Sequence, residues 1–129
     1  MPDATSALSS AVSPPILIVE DDPALRKAML LMLRLNGHTA VVSAATLAEA
    51  LQSVDSAAPS HVIVDFNLPD GFGTDLLRHI RAHGMETHVL MITGSADLTI
   101  ADQAHDLGVD VFLTKPPDWD KITDWLAQS

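Results

Sequence analysis

The feature that most constrains this chain is a recurring one. Short apolar runs, rich in β-branched residues, stop at a polar group and give way to stretches with helical spacing. The runs are Ile16-Leu17-Ile18-Val19, Thr39 to Ser43, His61-Val62-Ile63-Val64, His88 to Ile92 and Val111-Phe112-Leu113. Each is too short for a helix, and the most apolar ones lack the alternation of a half-solvated strand, so they read as strands buried on both faces. Five strands alternating with five helices over short connections imply right-handed βαβ crossovers. The result is a doubly wound α/β fold, a parallel sheet covered on both sides. With 129 residues, 47% of them hydrophobic, the chain suits a single core. No internal repeat is present, and too little follows the fifth helix for a second domain.

The helices carry their own signals. Pro23 at a first helical position follows Glu20-Asp21-Asp22, whose charge favours the positive end of the helix dipole. Leu25, Met29, Met32 and Leu33 then recur at helical spacing beside Leu30, until Asn36-Gly37 stops the run. Thr46 to Ser56 places Leu47, Ala50, Leu51 and Val54 on one face, with Thr46 and Glu49 spaced as a capping box. Thr74 to His83, Asp97 to Leu107 and Asp118 to Gln128 complete the set. Met1 to Ser13, rich in Ser, Ala and Pro without a period, reads as a flexible tail. Residues 1–14 thus precede a domain over 15–129.

Composition removes several function classes. Seven basic residues stand against 17 acidic ones, a net charge of −10. Nucleic-acid surfaces need clustered Lys and Arg to displace counterions, and the most basic stretch, Arg26 to Arg34, holds three, which argues against direct binding. The absence of Cys excludes disulfides, thiolate zinc sites and a Cys nucleophile. Neither a signal-peptide pattern nor a membrane-length apolar run is present, so a cytoplasmic protein is expected.

In an open parallel sheet all strand C-termini reach one edge, where reacting groups collect. Glu20 and Asp21 follow the first strand, Asp65 ends the third, Thr93 follows the fourth and Lys115 follows the fifth. Three carboxylates together repel unless a cation intervenes. Oxygen ligands with open positions suit Mg²⁺. A metal, an ammonium and a hydroxyl around one carboxylate suit an incoming phosphoryl group, with the carboxylate as nucleophile. A cofactor-binding enzyme of similar fold would need a phosphate-cradling loop after the first strand, where Glu20-Asp21-Asp22 has the wrong charge.

These motifs, taken together and in order, resemble the receiver domain of a two-component response regulator, over about Pro15 to Ser129. The resemblance covers Ile16 to Asp21 as first strand and acidic pair, Asp65 with Leu68-Pro69-Asp70-Gly71 after it, Thr93, and Thr114-Lys115-Pro116. It implies the CheY-like, flavodoxin-like strand order 2-1-3-4-5 with five helices. It implies Asp65 as phosphoacceptor, assisted by Lys115 and Thr93. It implies Mg²⁺ (or Mn²⁺) held by Glu20, Asp21, Asp65 and the backbone carbonyl of Asn67. Thr93 and Phe112 match the switch pair; the resemblance further implies that Asn67 and Ser95 flank the path of the attacking water, that Gly94 leaves the phosphoryl site open, and that the Lys115-Pro116 bond is cis. The acidic pair is Glu-Asp here, where Asp-Asp is commoner. The implied donor is a sensor histidine kinase or a phosphotransfer protein, and the implied output is the face formed by the fourth helix, fifth strand and fifth helix, read by a protein partner. Such a domain catalyses only its own phosphorylation and dephosphorylation. A stand-alone regulator is the first expectation; a phosphotransfer intermediate, or the receiver of a hybrid kinase, is the alternative. Seven Asp and two Lys between Ala96 and Ser129 make an ion-pair homodimer through that face self-repelling and leave an apolar one open.

Other residues with chemical potential are set aside. His79 and His83 are four apart on a helix and could share a metal, but no third ligand is evident, so they read as solvent-exposed. His61 and His88 read as polar edge residues, and Met29, Met32 and Met91 as core. Trp119 and Trp125, six apart, are not expected to share one core patch.

Overall fold

The computed structural model describes residues 14–94 and 98–129. Its sheet contains β1 (Ile16–Val19), β2 (Val41–Ala44), β3 (His61–Asp65), β4 (His88–Thr93) and β5 (Val111–Thr114). All are parallel and ordered β2-β1-β3-β4-β5. The helices are α1 (Pro23–Leu35), α2 (Leu47–Ala57), α3 (Gly73–Ala82), α4 (Leu98–Asp106) and α5 (Trp119–Gln128). The expected doubly wound architecture is therefore present, with the winding reversing between β1 and β3.

Register divides the core in two, because successive strand side chains point to opposite faces. Leu17, Val62 and Val89 lie in one row and pack with Ala50 and Val54 of α2 and Leu76, Leu77 and Ile80 of α3. Ile18, Ile63 and Leu90 lie in the next and pack with Met29 and Leu33 of α1 and Ile122 and Leu126 of α5. Each such buried side chain stabilises the fold by roughly 1.5–3 kcal/mol relative to exposure. Polar residues in β1, β3 and β4 are accordingly confined to the strand ends.

Local signals set the helix starts. Asp22 Oδ1 accepts from Ala24 N at 3.0 Å, Thr46 Oγ1 from Glu49 N at 3.1 Å and Asp118 Oδ1 from Asp120 N at 3.0 Å. The capping box at α2 is offset by one residue, since Glu49 Oε1 accepts from Ala45 N at 3.3 Å.

Several expectations are corrected. β2 begins at Val41 and ends with Ala44 in the core; Thr39 and Ala40 precede it, with Ala40 O accepting from Ile16 N of β1 at 2.9 Å. The turn after Asp65 is an antiparallel ribbon pairing Asn67–Leu68 with Gly71–Phe72. Met29 and Met91 are buried, but Met32 lies with Leu31 and Leu35 on the outer side of α1. Both Trp residues pack on the α1/α5 side of the sheet, Trp125 buried and Trp119 partly so, because Trp119 belongs to the first turn of α5 and Trp125 to its second half. Met1 to Ser13, Ser95 and Asp97 lie outside the described residues.

At the N-terminal edge of the sheet His61 is held on all sides. Its ring stacks on His88 and meets Trp125 edge-on, both at 5.1 Å between centroids. Its nitrogens reach Ser60 Oγ and Ser129 Oγ, each at 2.8 Å. Burial, followed by the neighbouring His88, pushes its pKa below the ordinary imidazole value, while Asp110 pulls it back and His38 lowers it further. A depressed pKa means that the unfolded chain binds the proton more tightly, so this group's contribution is present above the unfolded value and is lost on acidification. Thermal melts of wild type and His61→Gln from pH 7.5 to pH 5 are expected to show the wild type losing stability relative to the variant from about pH 6.5 downward. The difference between the two isolates this group from the other titrating residues.

The start of α3 is pressed against the end of β3. A Cβ on Gly73 would meet the Asp65 carbonyl oxygen at 2.6 Å and the Phe66 Cα at 3.2 Å, and Gly73 N donates to Phe66 O at 2.7 Å. Backbone cannot give way as a flexible side chain can. Gly73→Ala is expected to destabilise by roughly 1–3 kcal/mol, measured by denaturant unfolding.

Candidate functional site

The C-terminal edge of the sheet brings the predicted acids and lysine together. Asp65, the last residue of β3, is 5% exposed. Its Oδ2 accepts from Lys115 Nζ at 2.7 Å, and its Oδ1 from Asn67 N at 3.1 Å. Lys115 Nζ lies 3.2 Å from Oε1 of Glu20, which is 2% exposed directly after β1. Glu20 Oε2 accepts from Asp22 N at 3.1 Å. Asp21 is exposed beside it, and one carboxylate oxygen from each of Glu20, Asp21 and Asp65 falls within 4.8 Å of the others.

The electrostatics follow from this crowding. Burial pushes the Glu20 pKa up to about 7; the Asp22 N–H opposes that rise, Asp65 adds to it, and Lys115 counters it. Burial alone would lower the Lys115 pKa, but its hydrogen bond to Asp65 and the charges of Asp65 and Glu20 outweigh burial and hold it above the ordinary amine value.

The remaining predicted residues take distinct places. Thr93, fully buried, ends β4, and its carbonyl accepts from Lys115 N at 2.7 Å, so the ends of β4 and β5 are tied. The Lys115-Pro116 bond is cis. A side chain at Gly94 would point into open space. Asn67 is exposed on the ribbon. Phe112 is not part of the acidic cluster; it is half-buried in β5 and packs on the α2/α3 side of the core. Ser95 lies outside the described residues.

Two supporting residues escaped the sequence reading. Arg26 Nη1 of α1 donates to Glu20 O at 2.7 Å, fixing the backbone of the acidic pair. Asp70, on the turn of the ribbon, accepts from Leu47 N at 2.7 Å and Ala48 N at 3.0 Å, so the loop after Asp65 is pinned to the N-terminus of α2. The N–H groups of Leu47 and then Ala48 hold the Asp70 pKa below the usual carboxylate range. An acid at a helix N-terminus is a familiar stabiliser, but no local spacing announces one 23 residues away in sequence. His79, expected in solvent, is half-buried and bonded to Asp55 of α2 at 2.8 Å.

Fold and site together define a doubly wound α/β protein with an acid–lysine cluster at the edge where its winding reverses. The family model described as the response regulator receiver domain matches residues 16–127, and the chain belongs to that family. The acid tolerance regulatory protein ActR of Rhizobium meliloti (strain 1021) is 33% identical over 113 residues, 88% of this chain and 58% of the relative. The chain thus spans about half the length of the curated relatives it matches. A CheY-like receiver domain protein from Methanospirillum hungatei JF-1 is 28% identical with a TM-score of 0.83, covering 88% of this chain and 90% of that one. A response regulator from Burkholderia pseudomallei, solved with a phosphorylated aspartic acid, a calcium ion and citrate, is 25% identical with a TM-score of 0.78, over 86% of this chain and 65% of that one. Among the described residues no helix is long and apolar enough to cross a membrane.

A raised carboxylate pKa makes the charged form of Glu20 a cost to the folded state. That cost is absent below the unfolded value of 4.5, grows as pH rises toward 7 and is constant above it. With divalent cations chelated, Glu20→Gln is expected to stabilise the protein by about 1–3 kcal/mol at pH 8 and to lose that advantage by pH 4.5, measured by urea unfolding at both pH values.

Proposed function

We propose that this receiver domain takes a phosphoryl group onto the Asp65 carboxylate from a phosphohistidine on a histidine kinase or phosphotransfer protein. One observation carries the reading: Lys115 Nζ bridges Asp65 and Glu20, within a set of three carboxylates that a single ammonium cannot neutralise. That surplus of hard oxygen donors fits a divalent cation. Mg²⁺ or Mn²⁺, when bound, supplies positive charge to the phosphoryl oxygens, with Glu20, Asp21, Asp65 and the Asn67 carbonyl as the groups to hold it. The Asp65 oxygen attacks phosphorus, the O–P bond forms as the P–N bond to the imidazole breaks, and the imidazole leaves. Lys115 stays on the transferred oxygens and Thr93 donates its hydroxyl to one of them. The phosphorylated aspartic acid in the Burkholderia pseudomallei relative supports this assignment.

The new anion biases the packing of Thr93 and Phe112, and so the face of α4, β5 and α5 offered to a protein partner. We take the domain to act as a single-domain regulator in a phosphorelay, with no catalysis beyond its own phosphorylation and dephosphorylation. The exposed Asn67 and the open space at Gly94 leave the phosphoryl group accessible to water. With a phosphorylated kinase as donor, the protein is expected to gain label in a Mg²⁺-dependent reaction. It should release that label as phosphate over a time on the order of seconds to minutes. Asp65→Asn is expected to abolish labelling; undiminished transfer to that variant would refute the assignment.

A further inference from the structure

We propose that His79 of α3 and His83, which caps the C-terminus of that helix, form with Asp55 of α2 a binding site for a Zn²⁺-type transition-metal ion, distinct from the acidic edge of the sheet. The two histidines are one helical turn apart on the same side of α3, and their rings lie 4.1 Å apart between centroids. His83 donates its Nδ1–H to the His79 carbonyl at 2.8 Å. That bond fixes the tautomer and leaves the Nε2 lone pair of His83 for a metal, the arrangement in which metal-bound imidazoles are generally held.

The third ligand comes from the neighbouring helix. His79 Nε2 donates to Asp55 Oδ1 at 2.8 Å, so a nitrogen and a carboxylate oxygen already face each other. A metal entering between them replaces the Nε2 hydrogen, which moves to Nδ1 of the same ring and leaves the imidazole neutral. Two imidazole nitrogens and one carboxylate oxygen leave the fourth tetrahedral position to water. Among the described residues, the set whose ligand atoms lie within 4.8 Å of one another is the acidic one. Closure here therefore requires the Asp55 or His83 side chain to rotate. Both are exposed, Asp55 at 55% and His83 in the last turn region of α3. Donor type separates the two sites, since imidazole selects Zn²⁺ and all-oxygen sites select Mg²⁺. Occupancy clips α2 to α3 and raises the melting temperature with zinc concentration.

The test is calorimetric titration of ZnCl₂ into the full chain with Mg²⁺ in excess to fill the acidic edge, alongside His79→Asn, His83→Asn and Asp55→Asn. One zinc per chain is expected, with affinity reduced roughly tenfold or more by either histidine substitution and unchanged by His105→Asn on α4. In the wild type, the ¹⁵N resonances of both rings should shift together on zinc addition. Absence of binding at millimolar zinc, or binding that survives both histidine substitutions in folded variants, overturns the proposal.

Discussion

The position of one ammonium group organises the functional edge of this protein. Lys115 reaches from the end of β5 across to the carboxylates that close β3 and β1, at 2.7 Å and 3.2 Å. Without it, Glu20 and Asp65 would be two nearly buried anions side by side, a state that burial alone makes expensive. With it, the charge is only partly balanced, because Asp21 adds a third carboxylate. Burial first, and the neighbouring Asp65 charge after it, push the Glu20 pKa up, and Lys115 offsets only part of that rise. An edge left short of positive charge favours a cation.

The reach of Lys115 depends in turn on the sheet. Parallel strands buried on both faces require helices above and below, and right-handed crossovers then deliver every strand C-terminus to one edge. That logic needs only the apolar runs and the polar residues that end them, and so the fold, the edge and its acids were legible in the chain. Asp65 was readable because it ends a run of buried β-branched residues. Lys115 was readable because it ends another, fifty residues later. The strand order was not: alternation alone does not say that β1 sits between β2 and β3, and the order came from the resemblance to receiver domains.

What the sequence concealed are contacts between side chains and backbone groups far apart in the chain. Asp70 looked like part of a turn, yet its carboxylate takes two N–H groups of α2. Arg26 stood only as one of three charges in the most basic stretch, yet it holds the Glu20 carbonyl. No spacing in the chain marks Gly73, and only the close approach of α3 to β3 shows that a methyl group has no room there. Met32 failed for the opposite reason. Its spacing suits the buried stripe of α1, but the stripe is already filled by Met29 and Leu33, and Met32 falls outside the arc that the sheet can cover.

The helices are not equally committed to the core, and the inequality bears on how a change at Asp65 could travel. α3 buries Leu76, Leu77 and Ile80, whereas Ala104 is the buried residue of α4, and Leu98 at its start is 79% exposed. The far end of α4 is anchored instead by Arg81 of α3, which donates to Gly108 O at 2.8 Å and to Thr87 O at 2.9 Å. Segments with few buried apolar contacts open at the lowest free energy. The start of α4 is therefore its loosely packed end and the C-terminal end the one held in place. α3 and the doubly covered centre of the sheet form the frame against which the start of α4 has the least packing to break.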